Sequence, residues 1–159
     1  DLNKLSKITE LKLTIISGKP YKNKNAKFEI INIPWSLKSE KIEISKFDFG
    51  VMPLTNETYT KGKCSFKAIQ YMGVGVIPVI SNVGMNNELV KDGIDGFLVN
   101  KNQWFEKFKL ILTLENKDLE KISKSAYNKI LDNYSFKKNK SILLNYLNSI
   151  NSRNTNNDL

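Results

Sequence analysis

The chain has 159 residues, no histidine and one cysteine, Cys64, with 25 Lys and Arg against 16 Asp and Glu for a net charge of +9. A single cysteine excludes an internal disulfide and fits a reducing compartment, and the lack of His removes the commonest general base and zinc ligand, so a Ser-His-Asp triad cannot form within this chain. The positive balance points to an anionic partner or simply to a Lys- and Asn-rich composition. With Arg153 the one arginine, nucleic acid is the weakest candidate and is not expected.

The opening DLNKLSKITEL is charged and amphipathic and has no initiator Met, which leads us to expect a fragment of a longer protein. Residues 11–17 (LKLTIIS) are β-branched and compact and are closed by Gly18 and Pro20, so they read as a buried strand. A polar loop over 21–27 leads to a second strand at 28–33, stopped by Pro34. Apolar residues at 37, 42, 44 and 47 give a rough helical stripe over 36–47. A third strand spans 47–54 and ends at Pro53, and a turn-rich loop follows over 55–62.

Residues 63–73 read as a helix whose apolar face is Phe66, Ile69 and Met72. A fourth strand covers 76–81. Asn86 is placed to cap a short helix that stops before Gly93, and 92–99 gives a turn and a fifth strand. Three helices follow, at about 101–114, 117–132 and 136–150. The polar residues 151–159 are expected to be a disordered tail after a domain spanning 1–150. Apolar strands alternating with helices argue an α/β fold in which helices cover both faces of a parallel sheet. No apolar run approaches the ~20 residues of a membrane span.

Two phosphate-binding patterns fail on inspection. Gly62-Lys63 supplies only the end of a Walker loop: position 57 is Glu and Cys64 stands where the hydroxyl is needed. Gly73-Val74-Gly75 ends a helix and enters a strand, opposite to the direction of a dinucleotide fingerprint. The loop 55–62 instead carries the chain from a strand end into a helix start. There, Lys61 and Lys63 sit where the helix dipole disfavours cations by about 0.3–1 kcal/mol, and a bound phosphate would reverse that sign. The side chains could equally point into solvent. Lys63, Lys67 and Gln70, at i, i+4 and i+7, would form one polar face suited to phosphate and hydroxyls, or a solvated face.

At this point the residues resemble a family. The stretch FDFGVMPL…KGKCSFKAIQYMGVGVIPVISNVGMNNELVKDGIDGFLV is similar to the donor-binding half of group 1 glycosyltransferases (glycosyltransferase family four, GT-B architecture). Asp48, Pro53, Gly75, Pro78, Ser81, Gly84, Glu88, Leu89, Val90, Asp92, Gly93, Gly96 and Leu98 match its pattern in order, with Pro78 one place late. The resemblance is strong over 47–99 and extends from 11 to 150. It implies a Rossmann-like, C-terminal nucleotide-sugar-binding domain with a helical C-terminus. The implied reaction is transfer of a hexosyl group from a nucleotide diphospho-sugar to an acceptor hydroxyl.

Two departures stand out: Gly62 and Gln70 replace the paired glutamates that the family uses for sugar and ribose. In this reading Lys63, Cys64, Ser65, Phe66 and Lys67 hold the donor diphosphate, the middle three through their amides, and Gln70 holds ribose. Gly84, Met85, Asn86, Asn87 and Glu88 touch the sugar and phosphate. Pro34 and Trp35 stand where members hold the base, although Trp35 also reads as a core residue. The family's basic pair, its first strand and its acceptor-binding domain lack counterparts here. No catalytic acid or base is assigned, and no metal or cofactor is expected. Expected partners are the nucleotide-sugar, the acceptor-binding domain, a second copy of the fragment, and for the parent a membrane surface. The expected location is cytoplasmic, at the inner face of the membrane, with the fragment alone inactive. The rival reading is a non-catalytic, degenerate binding or structural module.

Overall fold

The computed structural model describes residues 1–154, with side chains through Ile150. The elements, in order, are α1 (Leu2–Leu5), β1 (Lys12–Ser17), β2 (Glu29–Pro34), α2 (Glu40–Ile44), β3 (Phe49–Met52), α3 (Thr58–Lys61), α4 (Phe66–Met72), β4 (Ile77–Ser81), α5 (Asn86–Leu89), β5 (Phe97–Val99), α6 (Trp104–Ile111), α7 (Asn116–Tyr134) and α8 (Phe136–Asn154). All five strands fall where the sequence places them, and every pairing is parallel.

The sheet is divided. β1 pairs with β2, and β3-β4-β5 form a separate three-stranded sheet with β4 in the middle. Among the described residues, β1 and β3 are therefore each paired along one edge only. The single sheet expected from the strand order is thus two parallel pieces, because no described strand bridges them.

The period-2 alternation of the three-stranded sheet sorts the core into two layers. Ile77, Val79, Phe97 and Val99 point to one side and pack with Leu5, Phe108, Ile111 and Ile122, with Phe49 and Val51 of β3 joining them. Ile80 points to the other side and packs with Ala68, Met72, Leu89, Val90, Ala126 and Ile130. Every residue of β4 is buried, as its continuous apolar run requires of a strand covered on both faces. On α7 the buried stripe is Ile122, Ala126 and Ile130, spaced four apart. Phe49 and Phe108 meet edge to face at 6.1 Å.

Several helices depart from expectation. The helix expected over 36–47 contracts to α2, and the one expected over 63–73 begins at Phe66. A separate short helix, α3, uses Glu57 and Thr60 as a capping box. The reason for the split is Ser65, whose φ of 55° and ψ of 24° no right-handed helix can contain. The buried residues of α4 are Ala68 and Met72, while Phe66 is 58% exposed rather than part of the apolar face. α6 is trimmed to Trp104–Ile111, and α7 runs two residues past its expected end. The tail expected at 151–159 begins within α8, which runs to Asn154; residues 155–159 lie outside the described residues. No helix among the described residues is long and apolar enough to cross a membrane.

Gly50 is where β3 passes beneath α4. A Cβ built there would lie 2.2 Å from the ring of Tyr71, whose hydroxyl donates to the Val51 carbonyl at 3.3 Å. Gly50→Ala is therefore expected to force Tyr71 off the strand and to lower stability in urea denaturation by about 1–3 kcal/mol.

Candidate functional site

The loops that leave the carboxyl ends of β3 and β4 are tied together by a buried polar chain. The Leu54 N–H donates to Ser81 Oγ at 2.7 Å. The Asn86 Nδ2 group donates to the Ser81 carbonyl at 2.8 Å, and Ser65 Oγ donates to Asn86 Oδ1 at 2.7 Å. Asn86 is 1% exposed and Ser65 2%. Four segments meet here: the exits of β3 and β4, the start of α5 and the residue before α4. Asn86 was expected as a helix cap. It is instead the first residue of α5, caps nothing, and spends both ends of its amide on this chain.

Two backbone features hold the loops close. Gly84 has φ of 55°, and a Cβ there would stand 2.6 Å from the Lys61 carbonyl oxygen. The turn after β4 is thus packed against the backbone just before Lys63, a contact that only glycine permits. Ser65 is one of two non-glycine residues with positive φ among those described. Backbone of this kind costs about 1–3 kcal/mol and persists only where surrounding contacts hold it.

The two lysines expected to share a face do not. Lys63 precedes α4; its N–H donates to the Thr60 carbonyl at 3.2 Å, and its ammonium lies 5.3 Å from the Tyr59 ring centre, exposed. Lys67 turns to Glu40, with Nζ 2.7 Å from Oε1. Gln70 Nε2 donates to the other oxygen of Glu40 at 3.1 Å. Glu40 is 8% exposed, Lys67 is about half exposed, and Gln70 Oε1 is buried with no partner among the described residues. Such an acceptor costs about 1–3 kcal/mol when left unmade. The hydrogen bond from Lys67 holds the Glu40 carboxyl below its ordinary value against the opposing effect of burial. The Lys67 charge and the side chains of Trp35 and Gln70 push it the same way as that bond. Burial, with the Glu40 charge second, raises the Tyr71 phenol.

Trp35 is 52% exposed, so its core reading does not hold; it stands beside Glu40 at the exit of β2, and Pro34 is exposed with it. Cys64, Met85, Asn87 and Glu88 are exposed and Gly84 is half-buried. Cys64, Ser65, Met85 and Glu88 border a depression of about 30 Å³ with Ile69, Leu89 and Tyr134, room for roughly one water rather than the ~300–1,000 Å³ of a small-molecule site. A larger cavity of about 220 Å³ lies between α1, β3 and α6, lined by Leu2, Leu5, Val51, Pro53, Trp104, Phe105 and Phe108 with Asp1. It is almost wholly apolar and lacks the convergent polar groups a phosphorylated ligand needs. The Asp92 and Asp95 of the DGIDG turn are structural: Asp92 pairs with Lys107 at 2.9 Å and Asp95 with Lys129 at 2.8 Å.

Glu40 is the residue that the sequence did not single out. Its partners are 27 and 30 positions away, and within SLKSEKIEISKF it looks like any solvated charge.

The sequence profile of a family described as "Glycosyl transferases group 1" matches residues 2–114. The chain is similar in structure to the C-terminal domain of a glycosyl transferase group 1 family protein, LpcC, from Francisella tularensis. The TM-score is 0.54 at 20% identity, covering 69% of this chain and 56% of that one. It is also similar to Alr3699/HepE of Anabaena, solved in complex with UDP-glucose. Here the TM-score is 0.61 at 17% identity, covering 77% of this chain and 33% of that one. At these identities the likeness is one of fold, and the chain spans about half and one third of those two proteins' chains. No curated protein matches the sequence.

Two substitutions separate strain from hydrogen bonding at position 65. Ser65→Ala loses the bond to Asn86 and keeps the left-handed strain, while Ser65→Gly loses the bond and relieves the strain. Ala is expected to be less stable than Gly by about 1 kcal/mol in urea denaturation. A pH series tests the Glu40 pair. Because the folded-state pKa of Glu40 is lowered from 4.5, its stabilisation is full above that value and is lost as pH falls through the lower folded value. The stability gap between the wild type and Glu40→Gln should therefore be constant above about pH 5.5 and close on acidification.

Proposed function

The chain belongs to the glycosyl transferases of group 1, and from that premise we propose that it is the nucleotide-sugar-binding domain of an enzyme that moves a hexosyl group from a nucleotide diphospho-sugar to an acceptor hydroxyl. The observation that carries this reading is the packing of Gly84 on the Lys61 carbonyl. It brings the turn 84–88 and the loop 62–66 to one border of the sheet, beyond the carboxyl ends of parallel strands, where α/β folds bind ligands.

Lys61 and Lys63 are cations of this border without an acidic partner among the described residues, and Lys63 is the nearer of the two to the start of α4. Its one described contact is the Tyr59 ring, worth about 0.5–1 kcal/mol at an exposed site, which a diphosphate would readily outbid. In the proposed reaction Lys63 and the loop of Cys64, Ser65 and Phe66 stabilise the charge that grows on the leaving diphosphate, an electrostatic role. The turn Gly84, Met85, Asn87 and Glu88 faces the sugar, with Asn86 holding it from behind. Lys67 and Gln70 lie further along α4 and meet the ribose, and Trp35 offers an exposed ring to the base. No general acid or base is assigned.

A depression of about 30 Å³ cannot enclose a nucleotide-sugar, so the parent must supply the opposite wall. Among the described residues β1 and β3 each have one edge unpaired, which supports a further strand of the parent completing the sheet. α8 is one surface left for another domain or a membrane: Phe136, Leu143, Tyr146, Leu147 and Ile150 are exposed along it. The fragment alone is expected to bind donor weakly and to transfer nothing.

Thermal shift tests the reading. With half a cleft, a dissociation constant on the order of 1 mM is expected, about −4 kcal/mol. UDP, GDP, ADP or one of their sugars at ~10 mM should then raise Tm by roughly 3–6 °C. A folded chain that responds to none of them would instead be a degenerate structural module.

A further inference from the structure

We propose that Glu40 is a positioning residue that fixes the Gln70 amide in one of its two orientations and so makes this part of the site select vicinal hydroxyls, those of a ribose, over phosphate. The inference rests on the nucleotide-sugar reading and goes beyond it by assigning specificity to a residue from a different element.

An ionised carboxylate offers acceptors only, so the amide edge facing it must be Nε2. That is the edge observed, 3.1 Å from Glu40 Oε2. A flipped amide would set Oε1 against the carboxylate, oxygen to oxygen. Lys67, 2.7 Å away on the other oxygen, keeps Glu40 in the charged form that enforces the choice. The consequence is that Gln70 directs an acceptor away from Glu40, and this Oε1 is buried and unpartnered among the described residues. A buried acceptor lacking a donor is a vacancy that a hydroxyl fills and a phosphate oxygen cannot.

The same geometry changes what Lys67 can do. Its charge is already matched by Glu40, so a diphosphate would have to break a 2.7 Å ion pair to claim it. Lys63 remains as the phosphate cation, and Lys67 serves the hydroxyl-binding end. Glu40 itself keeps acceptor capacity: a carboxylate has about four lone-pair sites, and Lys67, Gln70 and the adjacent Trp35 indole occupy at most three. One hydroxyl on Gln70 Oε1 and its neighbour on Glu40 would suit a vicinal diol. The path to Oε1 opens through Phe66. It stands four residues before Gln70, hence on the same side of α4, and is 58% exposed; a side-chain movement on this side is required to admit a hydroxyl to Oε1.

The test compares the dissociation constant of each ribonucleoside diphosphate (UDP, GDP, ADP) with that of its 2′,3′-dideoxy form, by NMR titration of the ¹⁵N-labelled chain. Wild type, Glu40→Gln and the exchanged pair Glu40→Gln/Gln70→Glu are compared. Wild type should favour the ribo form about tenfold, the gain of hydrogen bonds to otherwise unpaired acceptors. Glu40→Gln frees the Gln70 amide to flip, and the preference should fall below about twofold. The exchanged pair returns a carboxylate to the cluster and should recover most of it. A purely structural role for Glu40 would weaken both ligand forms equally and leave their ratio unchanged, which would overturn the proposal. Equal binding of both forms by wild type would also overturn it, and this needs no variant to fold. A folded wild type that binds no nucleotide at all would overturn the functional reading and this one together.

Discussion

The arrangement of loops at the candidate site depends on one buried asparagine. Asn86 joins Ser65, at the entrance of α4, to the carbonyl of Ser81 at the exit of β4, and Ser81 in turn takes the N–H of Leu54 from the exit of β3. Without that chain of bonds the loops 53–65 and 82–86 would have separate freedom at the sheet edge. With it, the left-handed Ser65 is held in place and the turn with Gly84 is pressed on the Lys61 backbone. A core of aliphatic side chains could have filled the same space. It would not have specified the relative position of four loop segments, because apolar packing has no direction and hydrogen bonds do.

The charge pattern at this edge follows from what each lysine finds. Lys67 finds Glu40, itself buried, so its charge is matched before any ligand arrives. Lys63 finds an aromatic ring in solvent, a weak partner that leaves its charge unmatched among the described residues. Two cations that look equivalent in the sequence thus differ in what they offer a ligand, and in the proposed site Lys63 would serve the phosphates and Lys67 the hydroxyl-bearing end. The division is made by a residue from α2, outside the motif that carries the family resemblance.

The strands were legible because their signal is local: β4 is a run of apolar residues buried on both faces, and Gly18, Pro34 and Pro53 mark ends that the chain respects. The motif over 47–99 drew attention to the loops that leave the carboxyl ends of β3 and β4, which the structure packs against one another. What the sequence concealed were contacts made across space. Glu40 lacks a periodic or motif signal, and its role exists only because α2 and α4 lie side by side. Ser65 is an ordinary helix-start residue by type, and nothing in its identity announces a positive φ that cuts the helix expected at 63 back to Phe66. The spacing of Phe66 with Ile69 and Met72 puts it on an apolar face, and Trp35 reads as either a core residue or a base platform, yet both are more than half exposed. Division of the sheet was hidden for a related reason, since pairing depends on which strands are present to meet.

The central claim is that a nucleoside diphosphate binds at the edge pinned by Asn86, across the loop 62–66 and the turn 84–88. Residue-resolved amide shift mapping of the ¹⁵N-labelled chain, titrated in turn with UDP, GDP and ADP, tests it most directly. The account predicts that the largest shifts fall on Lys63 to Phe66 and on Gly84 to Glu88, with smaller ones at Trp35 and Gln70. Shifts concentrated instead around Leu2, Trp104 and Phe105 at the apolar cavity, or spread evenly over the lysine-bearing surface, would contradict it.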